Sequence, residues 1–292
     1  MKRRSIYLTL LVLIGLLGFF EIRRTAQTIR ADQIAKPAYT YDNLRQNKSS
    51  GIAVLCYHRI LNNTKTVKLS RYLSGDEQLH MFNVPLDQFA AQMRYLKQQQ
   101  IKVISIAEML TLMKQGPIQG KYVVITFDDI DRSLLDNAVP TLKKYRFPFT
   151  AFVITVMTAH YIDGSQMASW NQIADVAATP GATIGLHTHD QHYQVGGKPI
   201  LADLTKITTF KKDYRKSQQL ITKKILAEPA RYFAYPYGKT NRLLSDYMIN
   251  DGIQAIFTLD GGLVKADTDL AALPRYVVNQ ASWDNIKHWL ES

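Results

Sequence analysis

The sequence predicts an α/β fold, a distorted (β/α) barrel of about seven strands, and three observations lead there. Short apolar runs of strand type alternate with helix-period segments, which argues for a parallel sheet, open or closed. Polar clusters stand at the ends of several runs, where a β/α barrel carries its chemistry: His58, Asp128-Asp129, His187 to His192, and Asp260. About 240 of the 292 residues lie beyond the N-terminal appendage, enough to bury one full core without staples.

The elements follow in order. "GIAVLCYH" (51–58) is a short apolar strand ending in polar residues. "PLDQFAAQMRYLKQQQ" (85–100) places Leu86, Phe89, Met93 and Leu96 at helical spacing, and "IKVIS" after it is a strand. "IAEMLTLMKQG" is a helix stopped at Gly116-Pro117. "KYVVITFDD" is a buried, β-branched strand ending on two carboxylates. "LLDNAVPTLKKYR" reads as a helix, "FPFTAFVI" as a strand, "WNQIADVAATPG" as a helix, and "ATIGLH" as a strand entering a histidine cluster. A long amphipathic helix, "LTKITTFKKDYRKSQQLITKKIL", comes next. "RYFAYPYG", "QAIFTLDGG" and "PRYVV" are strand-like, with helical or loop spacers.

Three segments are expected along the chain: 1–22 a signal anchor or signal peptide, 23–50 a polar linker, and 51–292 the folded domain. Lys2-Arg3-Arg4 precede an uncharged run, Ile6–Phe20, which suits a signal-peptide apolar core and is short of the roughly 20 residues of a spanning helix. No small-x-small cleavage site follows, which favours an uncleaved anchor. Either way the body is expected outside, anchored at the extracellular face of the cell membrane through residues 6–20 or secreted and surface-associated. Residues 1–50 carry nine Lys/Arg and three Asp/Glu, a net +6, so half of the formal +12 belongs to the appendage. The mildly basic body suits contact with an anionic envelope, and without a long basic block nucleic-acid binding is a poor reading. The single cysteine, Cys56, excludes an internal disulfide and reads as a buried small hydrophobe.

In "TFDD", neighbouring strand side chains point to opposite faces, so Asp128 and Asp129 share a cleft only if the backbone turns there. Two carboxylates without partners would repel, and a cation resolves this by binding one and leaving the other as a base. A helix cap is the plainer alternative. "HTHDQH" places three of the seven histidines within six positions. One Asp and two His give the three ligands and open position of a catalytic divalent site, and spacing alone leaves the 187/189 and 187/192 pairs both open. His58 in "CYHRI" is weak evidence alone. In "RYFAYPYG", Arg231 precedes a Pro-Tyr-Gly turn that could aim the Tyr237 N–H at a ligand.

Together these segments resemble the polysaccharide deacetylases of carbohydrate esterase family 4, in particular the branch acting on poly-β-1,6-N-acetylglucosamine, the biofilm intercellular adhesin polymer. The resemblance spans residues 51–292. It implies Asp128 as general base, Asp129, His187 and His192 as metal ligands, and His189 as a bystander. It also implies Arg231 as the arginine orienting Asp128, Tyr237 as a backbone oxyanion donor, and His58, early as in this branch, as the acid. The cofactor would be one divalent ion, zinc foremost, with Co, Ni, Fe or Mn also suiting this donor set. The substrate implied is poly-N-acetylglucosamine, with release of acetate. Peptidoglycan or chitin-type glycan, or noncatalytic envelope binding on the same fold, are the alternatives. Two departures stand out: Ile130-Asp131 follow Asp129 where the family usually has Gly, and "FTLDGG" matches a fourth motif poorly, leaving Asp260 a guessed partner for His58.

Overall fold

Eight parallel strands form the central sheet: β1 (Gly51–Tyr57), β2 (Lys102–Val103), β3 (Lys121–Phe127), β4 (Phe149–Val153), β5 (Ala182–Leu186), β6 (Tyr232–Ala234), β7 (Ala255–Phe257) and β8 (Tyr276–Val277). The computed structural model describes residues 39–73, 81–162, 164–203, 205 and 207–292. Side by side the strands run β7-β6-β5-β4-β3-β1-β8, with β2 along the start of β3 and β4 taking over at its end. No ladder joins β7 to β8; the gap is spanned by the segment leading into β8, where Leu273 bridges Phe257 and exchanges backbone hydrogen bonds with Ile256 and Thr258, so the barrel is distorted there. The apolar run Ile6–Phe20, expected to be helical, lies outside the described residues. No helix among the described residues is long and apolar enough to cross a membrane.

Helices α1 (Leu86–Gln98), α2 (Ile106–Lys114), α3 (Val139–Tyr145), α4 (Trp170–Ala177), α5 (Ile207–Lys224), α6 (Arg242–Asn250) and α7 (Gln280–Glu291) surround the sheet. α1 buries Phe89, Met93 and Leu96, three members of the stripe read from the sequence. α2 and α4 start at Ser105 and Ser169, each closing a capping box with Glu108 and Gln172. The segment read as one helix from Leu134 opens instead as a π-turn, Leu134–Ala138, and becomes α-helical where Pro140 takes a first-turn position.

Strand parity explains how this sequence builds a site. β1 is buried at every position, as expected for a parallel strand covered on both faces. Its Ala53, Leu55 and Tyr57 pack with the helix layer, together with Phe89, Met93, Phe210 and Trp289. Ile52 and Val54 face the barrel interior, with Val124, Phe152, Ala234 and Phe257. The same alternation gives β3 an inward Val124 and an outward Val123, Ile125 and Phe127. Continued by two residues at a time, the inward set runs through Cys56 to His58 just past β1, through Thr126 to Asp128 just past β3, and through Gly185 to His187 just past β5. A side chain at Gly185 would collide with the Phe152 ring at 2.5 Å, so glycine is what lets the interior close beneath His187.

The folded body reaches back to Tyr39, which corrects the reading of 23–50 as a tether throughout. Leu44 is buried in the core, and the Tyr41 ring meets Tyr276 edge-on at 4.9 Å. Asn285 on α7 donates to Thr40 O and to Asp42 Oδ1, and Trp289 Nε1 donates to Ser49 O. Three apolar anchors in a polar stretch make no period, so the pattern alone read as linker.

Candidate active site

At the C-terminal end of β3 the chain turns sharply. Asp129 (φ 67) and Ile130 (φ 49) both adopt left-handed backbone, and this turn brings Asp129 round to the side that Asp128 faces. A β-branched residue at positive φ is a strained exception, costing on the order of 1–3 kcal/mol. Ile130 is held there by a buried side chain, 2% exposed, so the turn needs no glycine.

Asp129 Oδ1 lies 3.4 Å from His187 Nε2 and 3.3 Å from His192 Nε2. These distances exceed the 2.7–2.9 Å typical of charge-assisted hydrogen bonds, and Oδ1 is buried with no hydrogen-bond partner. His187 Nδ1 is 2.7 Å from the Ala234 carbonyl, which can only accept; the proton therefore sits on Nδ1 and Nε2 offers its lone pair inward. Three acceptor atoms converge within 4.8 Å of one another, the donor set of a divalent cation. Burial works against the charge on Asp129, yet His192, His187 and His58 hold its carboxyl well below the usual range. Burial also pushes both imidazoles down: it prevails at His192, while at His187 the two aspartates outweigh it.

Asp128 has a different environment. Arg275, fully buried, clamps it with Nη1 to Oδ1 at 2.7 Å and Nη2 to Oδ2 at 2.6 Å. Arg275 also donates to Thr258 O through Nε and to Thr126 Oγ1, and its guanidinium lies over the rings of Phe152 and Phe257. Burial alone would raise the Asp128 pKa, but Arg275 and the neighbouring histidines hold it below the ordinary value. Arg231 does not take part: it is exposed, just before β6, at the end of the barrel opposite the site. The arginine that orients Asp128 is Arg275, an inward residue two before Val277 in "PRYVV". A charge in register with an apolar strand face requires a buried partner, and that was the available signal.

Cys56 Sγ sits 3.5 Å from Asp128 Oδ2 and 4.0 Å from His58 Nδ1. Cys56, His58 and Asp128 are close enough to form a second potential metal triad. Their chemistry opposes it: burial pushes the thiol pKa well up, so it stays protonated, and the Asp128 carboxylate is already engaged on both oxygens by a guanidinium. His58 is buried against Phe82, ring centroids 4.6 Å apart, and burial lowers its pKa against the pull of Asp129 and Asp128. Asp260 does not serve it; that side chain is exposed, and its backbone N–H donates to Thr258 Oγ1.

Tyr237 (φ 57) sits in the Pro236–Gly238 turn with its ring 4.8 Å from that of His192 and its hydroxyl 3.4 Å from His192 O. His189 turns away, its Nδ1 2.9 Å from Thr155 Oγ1. A cavity of about 100 Å³ opens beside Asp128, Asp129 and His58, with Met157, Ile162 and Met167 as apolar wall. A wider groove of about 310 Å³ meets the same carboxylates from the side of Phe82, Tyr237 and Leu259.

The polysaccharide deacetylase family profile matches residues 115–256, a span that excludes both His58 and Arg275. The poly-β-1,6-N-acetyl-D-glucosamine N-deacetylase of Staphylococcus epidermidis is 31% identical over 253 residues, 84% of this chain and 85% of that protein. Its Staphylococcus aureus counterpart is 28% identical over 252 residues, with the same shares of the two chains. Among solved structures, IcaB from Ammonifex degensii superposes with a TM-score of 0.73 at 29% identity, covering 84% of this chain and 99% of that one. The Streptococcus pyogenes deacetylase PplD, at 22% identity and a TM-score of 0.67 over 83% of this chain and 99% of that one, shares the fold. The chain thus belongs to the polysaccharide deacetylase family and is a deacetylase, a hydrolase.

Proposed function

We propose that the protein removes N-acetyl groups from poly-β-1,6-N-acetyl-D-glucosamine at the cell surface, using one divalent metal ion. The observation carrying the chemistry is the inequality of two neighbouring carboxylates: Asp128 has an internal cation, and Asp129 has two imidazoles and an oxygen with no donor. The choice of polymer is supported by what the staphylococcal relatives are named for. The surface location rests on residues 1–22, with their basic start and apolar run at 6–20.

Asp129, His187 and His192 suit a divalent ion because a buried carboxylate oxygen without a donor and an imidazole lone pair set by Ala234 O both want a cation. Zinc, cobalt, nickel, iron or manganese would fit these donors. When bound, such an ion polarises the acetamide carbonyl and makes a water more acidic. Asp128, kept ionised and aimed by Arg275, would accept the proton of the attacking water. The Tyr237 turn offers its backbone N–H to the developing oxyanion, a contribution of about 3 kcal/mol for one such donor. His58, across the cavity, delivers the proton that lets the amine depart. Acetate leaves, and the remaining glucosamine unit is cationic near neutrality, a change suited to adhesion on anionic envelopes.

The test is acetate release from β-1,6-linked N-acetylglucosamine oligomers by the full chain in mild detergent, as purified, after chelation, and after adding back Zn, Co or Ni. Release that stops with chelator and returns with metal is the expected result. Cleavage of β-1,4 oligomers alone would reassign the substrate, and release indifferent to chelation would remove the metal.

A further inference from the structure

We propose that Asp213 is the positioning residue of the metal site, the carboxylate that shapes the turn joining His187 to His192. Asp213 lies on α5 and is buried, 8% exposed. Its Oδ2 accepts the backbone N–H of His189 at 2.8 Å, and its Oδ1 accepts that of Asp190 at 2.6 Å. No Lys or Arg pairs with it among the described ion pairs. Its charge is therefore directed at two peptide groups of one turn, 24 and 23 residues away in the chain.

That turn would not hold itself. Thr188 is left-handed (φ 73) although β-branched, and its Oγ1 is buried without a partner, so local preferences oppose the conformation. The opposite edge is tied by Thr155 N–H to Thr188 O, Val156 N–H to His189 O and Ser217 Oγ to Thr188 O. Those contacts satisfy carbonyls. Asp213 alone takes the two consecutive N–H groups, at half-buried His189 and exposed Asp190, and so fixes the direction of the turn. His187 is fixed by β5 and by Ala234 O, whereas His192 depends on the path of residues 188–191. Losing the carboxylate frees the turn and moves His192 away from the other two ligands. Partners of this outer kind change metal affinity by about 10–100-fold.

The inference rests on the metal-binding reading above, and its test keeps the two apart. Zinc or cobalt affinity of the full chain is measured by competition with a chromophoric chelator, for wild type and Asp213→Asn. The asparagine keeps the size and one acceptor but sets an N–H₂ donor against one of the two peptide N–H groups. A loss of about 10–100-fold is expected. Unchanged affinity in a folded Asp213→Asn protein would overturn the role of Asp213 and leave the metal site standing. Wild type that binds no metal would instead overturn the site itself. Should the variant fail to fold, amide hydrogen exchange in wild type decides: added zinc must slow exchange at His189 and Asp190, and indifference there sinks the proposal.

Discussion

Asp128 and Asp129 are neighbours in sequence and opposites in environment. The first is sealed, 2% exposed at its side chain, and clamped on both oxygens by a buried guanidinium. The second is 17% exposed at its side chain and faces two imidazole nitrogens across gaps too long for strong hydrogen bonds. One half of the site is electrostatically finished within the protein. The other presents acceptors, and the proposed metal ion would finish it. A cleft with two carboxylates can keep both ionised when each has its own cation; Arg275 is the first, and the proposed ion would be the second.

The largest effect should come from breaking the unfinished half. Asp129→Ala should lose metal and activity together, exceeding the ~10²–10³-fold that a single oxyanion donor contributes; Asp128→Asn should lose activity but keep the metal. Metal content by mass spectrometry alongside acetate release checks both, and an active Asp128→Asn enzyme would remove Asp128 as the base. Breaking the finished half comes next. Arg275→Met strands a buried carboxylate, and removal of one partner from such a pair costs about 3–5 kcal/mol, read by denaturant unfolding. The sign with pH follows from the lowered Asp128 pKa. The stability it contributes is fully present above the unfolded carboxylate value of about 4 and is lost as pH falls through the depressed folded value. In Arg275→Met that pKa rises, so the acid limb of the activity profile should move to higher pH.

His58 belongs to the finished half by contact, through Cys56 and Phe82, and its place on the cavity suits it to the acid role proposed above. His58→Gln should lower turnover about 10²–10⁴-fold, the range for a positioned acid or base, with metal content unchanged. Turnover near wild type would return His58 to a structural role.

The same contrast separates what the sequence disclosed from what it withheld. β1, β3 and β5 were legible because buried parallel strands read as apolar runs, and the polar residues just past their ends fall on the inward parity. Asp128 and His187 fall on that parity; the set Asp129, His187 and His192 came with the family resemblance, since spacing left both histidine pairs open, and the turns at Asp129 and Thr188 bring those three together. Ile130 looked like a departure from a glycine position, yet the left-handed turn survives because its buried side chain packs well enough to hold it. Arg275 was missed because Arg231 stands in an equally plausible strand, and only the direction of β6 shows that it lies at the wrong end. Asp213 offered no local signal, since its partners are backbone N–H groups 24 and 23 residues away.

The smallest expected effects sharpen the comparison most economically. Cys56, with His58 and Asp128, offers the only other metal triad among the described residues, and the geometry argues that it stays a protonated thiol beneath the base. Cys56→Ala removes one weak donor to Asp128 Oδ2 and leaves the Arg275 clamp in place. Its cost should be about 1 kcal/mol or less, the scale of a single net hydrogen bond, with metal stoichiometry unchanged. Arg231→Ala, on the exposed end of β6, should change neither stability nor turnover measurably. A Cys56→Ala protein that loses its metal would transfer the cation to the Asp128 side and reverse the two halves. A slow Arg231→Ala enzyme with an intact Arg275 clamp would require a second route from that arginine to the base, although it stands at the opposite end of the barrel.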